Sequence, residues 1–401
     1  MTSIFDNVKV LELAEWTLVP AAAAILAEWG ADVTKIERPV GGDSQRGLAV
    51  GGVTPEWNGV ALQMEYTNRG GKRSVGVDVT QPDGRELVLR LAAQADVFLT
   101  SLLPETQDRL GMNALALRDV NPRIIYASGH GLGTEGPDSN KGGYDMNAYW
   151  CRGGVGYALS EPGEHPVRMR PAMGDRMASM NLVAGVASAL FRRERTGEPS
   201  VVEVSLLGSA IWQLASDVVY SKAFGIENSR VTRGANPLTG YYQTADDRWL
   251  SFVLMQSDRW WPRFTEAIGA PGLTDDVRFA DSGRRAENYE ACVAEIRKII
   301  QSDTLTNWRT RLAGFDGPWA AMQSMAELLA DPQVIANGYV VDVPSGSGVD
   351  VPVVTSPMRF AGVAGRYDPC PEAGQHTEEV LLELGEDWDR IIALKEQGVI
   401  T

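Results

Sequence analysis

Short apolar runs alternate with helical patterns along the first third of the chain. The apolar runs that predict buried strands lie at residues 8–13, 33–36, 75–79, 97–99 and 123–128. Helical periodicity covers residues 21–29 and 83–93, and Gly30 ends the first of these helices. Strand, helix and strand in this order indicate βαβ units with parallel strands. The pattern therefore predicts a doubly wound α/β domain.

The second half of the chain loses this alternation. Residues 177–191 are apolar on nearly all sides and predict a buried helix, and residues 206–224 predict a long one. A hairpin and several helices follow, which predicts a smaller α+β domain. Their ranges are 241–244 with 249–255, then 258–268, 285–300 and 305–313. Trp260-Trp261 is expected to belong to the core of this domain.

Composition narrows the function classes. The chain has 401 residues, a formal net charge of −15, three cysteines and three histidines. The acidic balance argues against nucleic acid and anionic membranes as partners. The cysteines lack CxxC spacing and no metal-binding spacing is present, so we expect neither a disulfide framework nor a metal. With no signal-like segment and no apolar run of spanning length, we expect a cytoplasmic protein.

Asp175 follows Gly174 and introduces the apolar helix, just before its first turn. Unpaired N–H groups and the helix dipole should keep such a carboxylate ionised. An ionised carboxylate with one open side can serve as a nucleophile. The local pattern alone favours a plain helix cap, and the same alternative holds for Asp145.

Residues 68–74 form a basic, glycine-containing loop, Asn-Arg-Gly-Gly-Lys-Arg-Ser. The P-loop pattern is absent. Lys72 and Arg73 beside glycines can still hold phosphates, and a solvated basic turn is the alternative.

Several segments together, in this order, resemble the class III CoA-transferases, which include formyl-CoA transferase and carnitine CoA-transferase. They are residues 10–13 (VLEL), 30–39 (GADVTKIERP), 68–69 (NR), 72–74 (KRS), 108–111 (DRLG), 121–123 (NPR), 143–145 (GYD), 194–197 (ERTG), 329–333 (LADPQ) and 374–377 (GQHT). Each segment alone is weakly specific, whereas their combination is specific.

The resemblance implies a Rossmann-like large domain with a parallel sheet, built from both chain ends, and a smaller α+β domain. The implied boundaries are 1–225 for the N-terminal part of the large CoA-binding domain, 226–330 for the small domain and 331–401 for the return segment. It also implies an interlocked homodimer that moves coenzyme A from an acyl-CoA to a carboxylic acid. Asp175 matches the family's nucleophilic aspartate, which reverses the preference for a cap.

The resemblance further implies a set of coenzyme A contacts. Arg38 should face the adenine and 3′-phosphate side of coenzyme A, and Lys72 and Arg73 should contact phosphates. Ser101, which replaces the first residue of the family's Asn-Phe-Arg-Pro segment, is a further implied contact at this changed position. The other implied contacts are the backbone of Trp16 and Thr17, then Lys141 and Tyr144 near the thioester.

Two alternatives share this fold. An α-methylacyl-CoA racemase needs a His where Tyr144 stands, and a neutral Tyr is a poor base at neutral pH. A non-catalytic CoA-binding subunit would not need Asp175. The acyl group is expected to be larger than formate or oxalate if an apolar pocket is lined by Trp150, Met169, Met173 and Tyr241.

Overall fold

The computed structural model describes residues 3–49, 56–161, 163–225 and 236–401. The strands are β1 (Lys9–Leu13), β2 (Asp32–Glu37), β3 (Glu56–Trp57), β4 (Val60–Ala61), β5 (Arg73–Gly76), β6 (Val97–Thr100), β7 (Ile125–His130), β8 (Val201–Ser205), β9 (Thr239–Gln243), β10 (Trp249–Val253), β11 (Trp319–Ala321), β12 (Val340–Pro344) and β13 (Asp350–Val354).

The α-helices are α1 (Leu18–Glu28), α2 (Leu62–Asn68), α3 (Pro82–Ala92), α4 (Pro104–Leu110), α5 (Ala114–Val120), α6 (Val155–Leu159), α7 (Met173–Thr196), α8 (Leu206–Gln213), α9 (Ala215–Phe224), α10 (Ser257–Ala267), α11 (Ser282–Glu287), α12 (Tyr289–Ile300), α13 (Leu305–Leu312), α14 (Met325–Leu329), α15 (Pro332–Asn337), α16 (Thr377–Glu383) and α17 (Trp388–Glu396). A π-helical turn covers Met146–Arg152. Within the described ranges, no helix is long and apolar enough to cross a membrane.

The central sheet is parallel, with the strand order β5-β2-β1-β6-β7-β8. After β1 the chain first adds β2 and β5 on one side, and then adds β6, β7 and β8 on the other. The strand order therefore reverses between β1 and β6. Such a topological switch point is where open α/β sheets bind ligands, outside the carboxyl ends of the strands. The predicted α/β fold with a parallel sheet is confirmed.

Helices cover both faces of this sheet. Alternating residues of β1 point to opposite sides, so Val10 belongs to one buried cluster and Leu11 to the other. The first cluster joins the sheet to α1 and α7, with Leu26 and Leu182 among its members. The second joins it to α3, α5, α16 and α17. Burial on both faces explains why the strands are short, continuous apolar runs.

The chain divides into two compact units. One comprises Met1–Val218 with Asn337–Thr401, and the other comprises Val219–Ala336. In the first unit the C-terminal segment pairs with β5, because the N–H of His376 donates to the Ser74 carbonyl at 2.9 Å. The predicted domain start at 226 lies outside the described residues, and the predicted boundaries stay a prediction.

The second unit has an antiparallel sheet in the order β11-β10-β9. The predicted hairpin is confirmed as β9 and β10, with Leu250 opposite Tyr242. Trp261 is buried among the aromatic rings of its core, as expected, while Trp260 is half-buried.

The predicted helix over 206–224 is instead two helices, α8 and α9, which are separated at Leu214.

Candidate functional site

A cleft of about 680 Å³ lies at the carboxyl edge of the parallel sheet. Its walls are the carboxyl ends of β1 and β2 with the residues after them, 13–16 and 36–38, and the segments that follow β5 and β6, residues 77–80 and 101–103. These segments surround the switch point between β1 and β6, where a ligand is expected in this fold. The predicted contacts that line the cleft are Trp16, Arg38 and Ser101.

The turn after β1 has a restrained backbone. Trp16 has a φ of +71°, an uncommon value for a residue with a side chain. Its N–H donates to Asp43 Oδ1 at 3.1 Å, and the N–H of Gln45 donates to the same oxygen at 2.9 Å. The Thr17 hydroxyl donates to Gln45 Oε1 at 3.1 Å. These bonds fix the backbone that forms one wall of the cleft.

Glu15 links two of the predicted contacts. Its N–H donates to Ser101 Oγ at 3.1 Å, and its carboxylate lies 3.2 Å from Arg38 Nε. The Arg38 side chain is 57% exposed, and it also donates to the Ser44 hydroxyl at 3.0 Å. Because solvent screens such a pair, the Arg38 guanidinium can exchange partners at low cost.

The cleft wall also contains two cations that were not predicted from the sequence, Arg85 and Arg109. Both donate to neutral oxygens, Arg85 to the Thr80 carbonyl at 2.9 Å and Arg109 to the Thr106 hydroxyl at 3.5 Å. Arg109 belongs to the DRLG segment that carries the family resemblance, which was a usable signal. Arg85 has no comparable signal, since an arginine early in a helix is ordinarily a solvated surface residue.

The position of Lys72 in the structure contradicts its predicted contact with phosphate. Its side chain is buried, and Nζ lies 2.7 Å from Glu12 Oε2. The same ammonium donates to the carbonyls of Pro20 and Thr67, each at 2.8 Å. All three ammonium hydrogens therefore have oxygen partners inside the protein. Lys72 is a structural cation under the first turns of α1, not a surface cation.

The position of Arg73 also contradicts its predicted contact with phosphate. Arg73 is the first residue of β5 and therefore lies at the amino edge of the sheet. There it pairs with Glu383 Oε2 at 2.6 Å and Asp32 Oδ2 at 3.3 Å. The cleft lies at the opposite, carboxyl edge. Arg73 therefore cannot share a ligand phosphate with Arg38 in this structure.

Tyr144 lies between the cleft and the first turn of α7. Its ring meets the Trp16 ring edge-on, with 5.5 Å between the centroids and 83° between the planes. Lys141, three residues earlier, is exposed and its Nζ lies 2.6 Å from Asp138 Oδ1. The structure thus brings Tyr144 to the Trp16 turn and leaves Lys141 on the surface of the loop beside it.

Asp145 lies against the first turn of α7. Its Oδ1 accepts the N–H of Gly174 at 3.0 Å. Ala172, which precedes the helix, has a φ of +59° and provides no side-chain cap. A Cβ atom on Gly174 would lie 2.4 Å from Asp145 Oδ1 and 2.3 Å from Tyr149 Cγ. Glycine is therefore the residue that lets the Asp145 carboxylate approach this helix.

Asp175 is the third residue of α7, so its predicted position before the first turn is wrong. The predicted full ionisation is wrong as well. Burial, followed by the negative charge of Asp145, raises the pKa of Asp175 to about 7, and Arg176 opposes this shift. Near neutral pH the Asp175 carboxyl therefore exists in both protonation states, because the helix N-terminus does not outweigh burial.

These contacts form a continuous path within the first unit. It runs from the cleft through Trp16 and Tyr144 to Asp145, and from there to the turn that carries Asp175. In the part of the chain that the structure describes, no group of three or more His, Cys, Asp and Glu side chains could hold a metal ion.

The profile of CoA-transferase family III matches residues 5–377. The chain belongs to CoA-transferase family III. The (R)-2-hydroxy-4-methylpentanoate CoA-transferase of Clostridioides difficile is 31% identical over 399 residues, which cover 99% of each protein. The cinnamoyl-CoA:phenyllactate CoA-transferase of Clostridium sporogenes is 30% identical over 399 residues, covering 96% of this chain and 94% of that protein.

A crystal structure of a CAIB/BAIF family protein from Brucella suis has the same α/β fold. Its TM-score is 0.82 at 28% identity, and the match covers 96% of this chain and 100% of that one. The predicted resemblance is therefore confirmed. The chain is a family III CoA-transferase, an enzyme whose substrates are CoA thioesters. The names of its relatives do not favour the racemase alternative.

Proposed function

We propose that this family III CoA-transferase moves coenzyme A between two carboxylic acids through covalent intermediates on Asp175. A carboxylate oxygen of Asp175 attacks the acyl-CoA carbonyl carbon. The C–S bond breaks, coenzyme A leaves as a thiolate, and a mixed aspartyl–acyl anhydride remains. The thiolate then attacks the aspartyl carbonyl carbon, which releases the first acid and leaves an aspartyl–CoA thioester.

The second half of the cycle reverses these steps with another acid. The acceptor carboxylate attacks the aspartyl thioester, and the CoA thiolate leaves again as a new anhydride forms. Attack of the thiolate on the acceptor's acyl carbon yields the new acyl-CoA and regenerates the Asp175 carboxylate. The energy of the thioester is conserved throughout, so the exchange needs no ATP.

The observation that carries this proposal is the path of contacts from the cleft to α7. A carboxyl with a pKa near 7 is also more basic, and hence more nucleophilic once ionised, than an ordinary aspartate. If Asp175 only capped its helix, it would need neither the nearby cleft nor the neighbouring carboxylate of Asp145. Both features are expected if Asp175 reacts with a ligand bound at the sheet edge.

Coenzyme A is proposed to occupy the cleft at the carboxyl edge. Arg38, Arg85 and Arg109 line it and are the cations proposed to meet the phosphates. The backbone of Trp16 and Thr17 and the Ser101 hydroxyl are the proposed polar contacts along the ligand. Lys141 and Tyr144 are proposed to lie toward the thioester end, because Tyr144 contacts Trp16 on the side that leads to Asp145.

The acyl group is proposed to be a branched or aromatic acid rather than formate or oxalate. The two relatives above are named for 4-methylpentanoate and phenyllactate derivatives, which supports this size. Of the predicted pocket residues, Trp150 and Met169 are buried in the core of the first unit. Met173, by contrast, is 41% exposed in the first turn of α7, two residues before Asp175. Met173 is therefore the apolar residue proposed to contact the acyl chain.

A homodimer is proposed for the assembly. Helix α8 of the first unit exposes two large apolar side chains, Ile211 and Trp212. Exposed apolar area of this kind on a helix is typical of a surface that another chain covers. Light scattering should give twice the chain mass of 43.5 kDa, and a monomeric mass would contradict the proposal.

The nucleophile is tested by trapping. The enzyme is incubated with isovaleryl-CoA and hydroxylamine without acceptor acid, which converts an aspartyl anhydride or thioester into a hydroxamate. Peptide mass spectrometry should place the hydroxamate on Asp175. The variant Asp389→Asn, which changes another aspartate in the first turn of a helix, should be modified as the wild type is. Trapping elsewhere, or full activity of Asp175→Ala, contradicts the proposal.

A further inference from the structure

We infer that Asp145 is a positioning residue for Asp175. The Asp145 side chain holds the first turn of α7 in place and keeps a second carboxylate beside the nucleophile. This inference rests on the role proposed above for Asp175. Two observations carry it, the cap that Asp145 provides from another segment and the burial of its second oxygen.

The cap of α7 comes from a distant residue. In α5, α8 and α17 the residue before the helix caps its own helix, through Asn113, Ser205 and Asp387 respectively. In α7 the corresponding Ala172 cannot do so, and Asp145, which is 29 positions before Gly174 in the chain, accepts the Gly174 N–H instead. The position of the Asp175 backbone therefore depends on the segment that also carries Tyr144.

The carboxylate of Asp145 is unusually costly for a cap. The residue is only 7% exposed, and its Oδ2 has no hydrogen-bond partner among the described residues. A buried charge without full hydrogen bonding is unfavourable, whereas Ser or Asn caps a helix equally well without charge. Capping of α7 does not require a charged group, whereas a charge at Asp145 also acts on Asp175.

The charged and titratable groups around Asp145 and Asp175 determine the direction in which the pKa of Asp175 is shifted. Asp175 is influenced by the negative charge of Asp145 and the positive charge of Arg176. Arg176 itself lies 5.5 Å from the ring centroid of Tyr66 on α2, and Arg69 adds a second positive charge on that side. On the side of the π-helical turn, burial and then Asp145 raise the pKa of Tyr149, so the Tyr149 hydroxyl stays neutral.

Repulsion between the two carboxylates has a chemical consequence. It raises the free energy of the ionised Asp175, which is the attacking form. Acylation converts Asp175 into a neutral anhydride or thioester, and the repulsion is then relieved. Asp145 therefore favours the covalent intermediates over the free carboxylate, and it keeps the attacking oxygen basic.

Two substitutions separate charge from position. Asp145→Asn keeps an oxygen that can accept the Gly174 N–H but removes the charge, and Asp145→Ala removes both. Release of isovalerate from isovaleryl-CoA in a single turnover is measured from pH 5 to pH 9. We expect Asp145→Asn to move the midpoint of the pH profile down by about one unit, with a plateau rate within about threefold of wild type. Asp145→Ala should show the same shift and lose about tenfold or more of the plateau rate.

A matched pair of variants at Asp387 provides the control. Its side chain accepts the Arg390 N–H at 2.8 Å at the start of α17, away from the cleft. Asp387→Asn therefore keeps an accepting oxygen and removes the charge, whereas Asp387→Ala removes both. Asp387→Ala should lower Tm, and both variants should leave the pH midpoint unchanged. Circular dichroism verifies that each variant is folded.

The outcomes are distinguishable from failure of the proposed nucleophile. If Asp145→Asn retains the wild-type midpoint while Asp175→Ala is inactive, the inference is wrong and the proposed function stands. If Asp175→Ala releases isovalerate at the wild-type rate, the proposed function fails and the inference fails with it. Rescue of the plateau rate in Asp145→Asn relative to Asp145→Ala supports positioning by the cap.

Discussion

Lys72 and Glu12 form a buried ion pair, with 2.7 Å between Nζ and Oε2 and no exposed surface on either side chain. Glu12 also pairs with Lys35 Nζ at 2.8 Å, and Lys35 lies 2.9 Å from Asp43 Oδ2. Asp43 in turn accepts the N–H of Trp16. The buried ion pairs therefore connect the centre of the sheet to the turn at which coenzyme A is proposed to bind.

Replacing Lys72 should destabilise the protein strongly. Lys72→Met leaves one Glu12 oxygen and two backbone carbonyls without their buried partner, and breaking a buried pair in this way costs about 3–5 kcal/mol. Lys141→Met, which removes an exposed cation, should cost less than about 1 kcal/mol. Urea unfolding measures both values. Equal, small losses would mean that Lys72 is not the structural cation described here.

The cations of the cleft should act on binding rather than on stability. Arg38→Gln and Arg109→Gln should each raise the KM for acyl-CoA about tenfold, because each removes a charge-assisted contact to phosphate worth roughly 1.5–3 kcal/mol. Their Tm values should stay near that of the wild type. Arg73→Gln, at the opposite edge of the sheet, is the matched control and should leave KM unchanged. If only Arg73→Gln raised KM, coenzyme A would be bound at Arg73, as the sequence predicts, and not at the cleft that contains Arg38 and Arg109.

Lys72 and Arg73 show why this part of the site could not be predicted from sequence. A basic, glycine-containing loop is compatible with a phosphate site, with a surface turn and with buried ion pairs. The difference depends on Glu12 and Glu383, which are 60 and 310 positions away in the chain. Local pattern contains no information on such distant partners. The resemblance carried residue types but not the orientation of their side chains.

The strands were predicted more reliably than the short helices. Residues 8–13 and 97–99 correspond to β1 and β6, because a strand buried on both faces is apolar throughout. By contrast, α4 and α5 have seven residues each and were missed, since two helical turns give too few periodic positions. The pair β12 and β13 was missed as well.

Asp175 was found by the resemblance, yet its environment was predicted wrongly. The predicted charge of Asp175 rested only on the helix that contains it, whose dipole favours a charged carboxylate. The opposing contributions are burial and the charge of Asp145, a residue thirty positions earlier in sequence. Desolvation depends on the packed structure, so neither contribution was available from the pattern around residue 175.

Gly174→Ala should impair both folding and activity. The added methyl group would overlap the Asp145 carboxylate and the Tyr149 ring, since a Cβ atom at this position would lie only 2.4 and 2.3 Å from them. Overpacking of this kind costs about 1–3 kcal/mol, and movement of Asp145 would also disturb Asp175. Gly272→Ala, where a Cβ would meet open space, should be neutral. Thermal unfolding and turnover of an acyl-CoA report the two effects. Wild-type behaviour of Gly174→Ala would exclude the close approach described here.

The pKa of Asp175 also makes a prediction for stability. Burial and Asp145 raise this pKa to about 7 in the folded protein, against 3.8 for an ordinary aspartate. Between these two pH values the folded state binds more protons than the unfolded state, so the stabilising contribution present below pH 4 is lost as the pH rises through 7. Asp175→Asn has no charge to bury and should be more stable than the wild type at pH 8, by up to about 4 kcal/mol. At pH 4 the two proteins should have nearly the same stability. Unfolding in urea at both pH values tests this, and an Asp175→Asn variant that is less stable than the wild type at pH 8 would show that the ionised Asp175 is stabilised rather than strained by its surroundings.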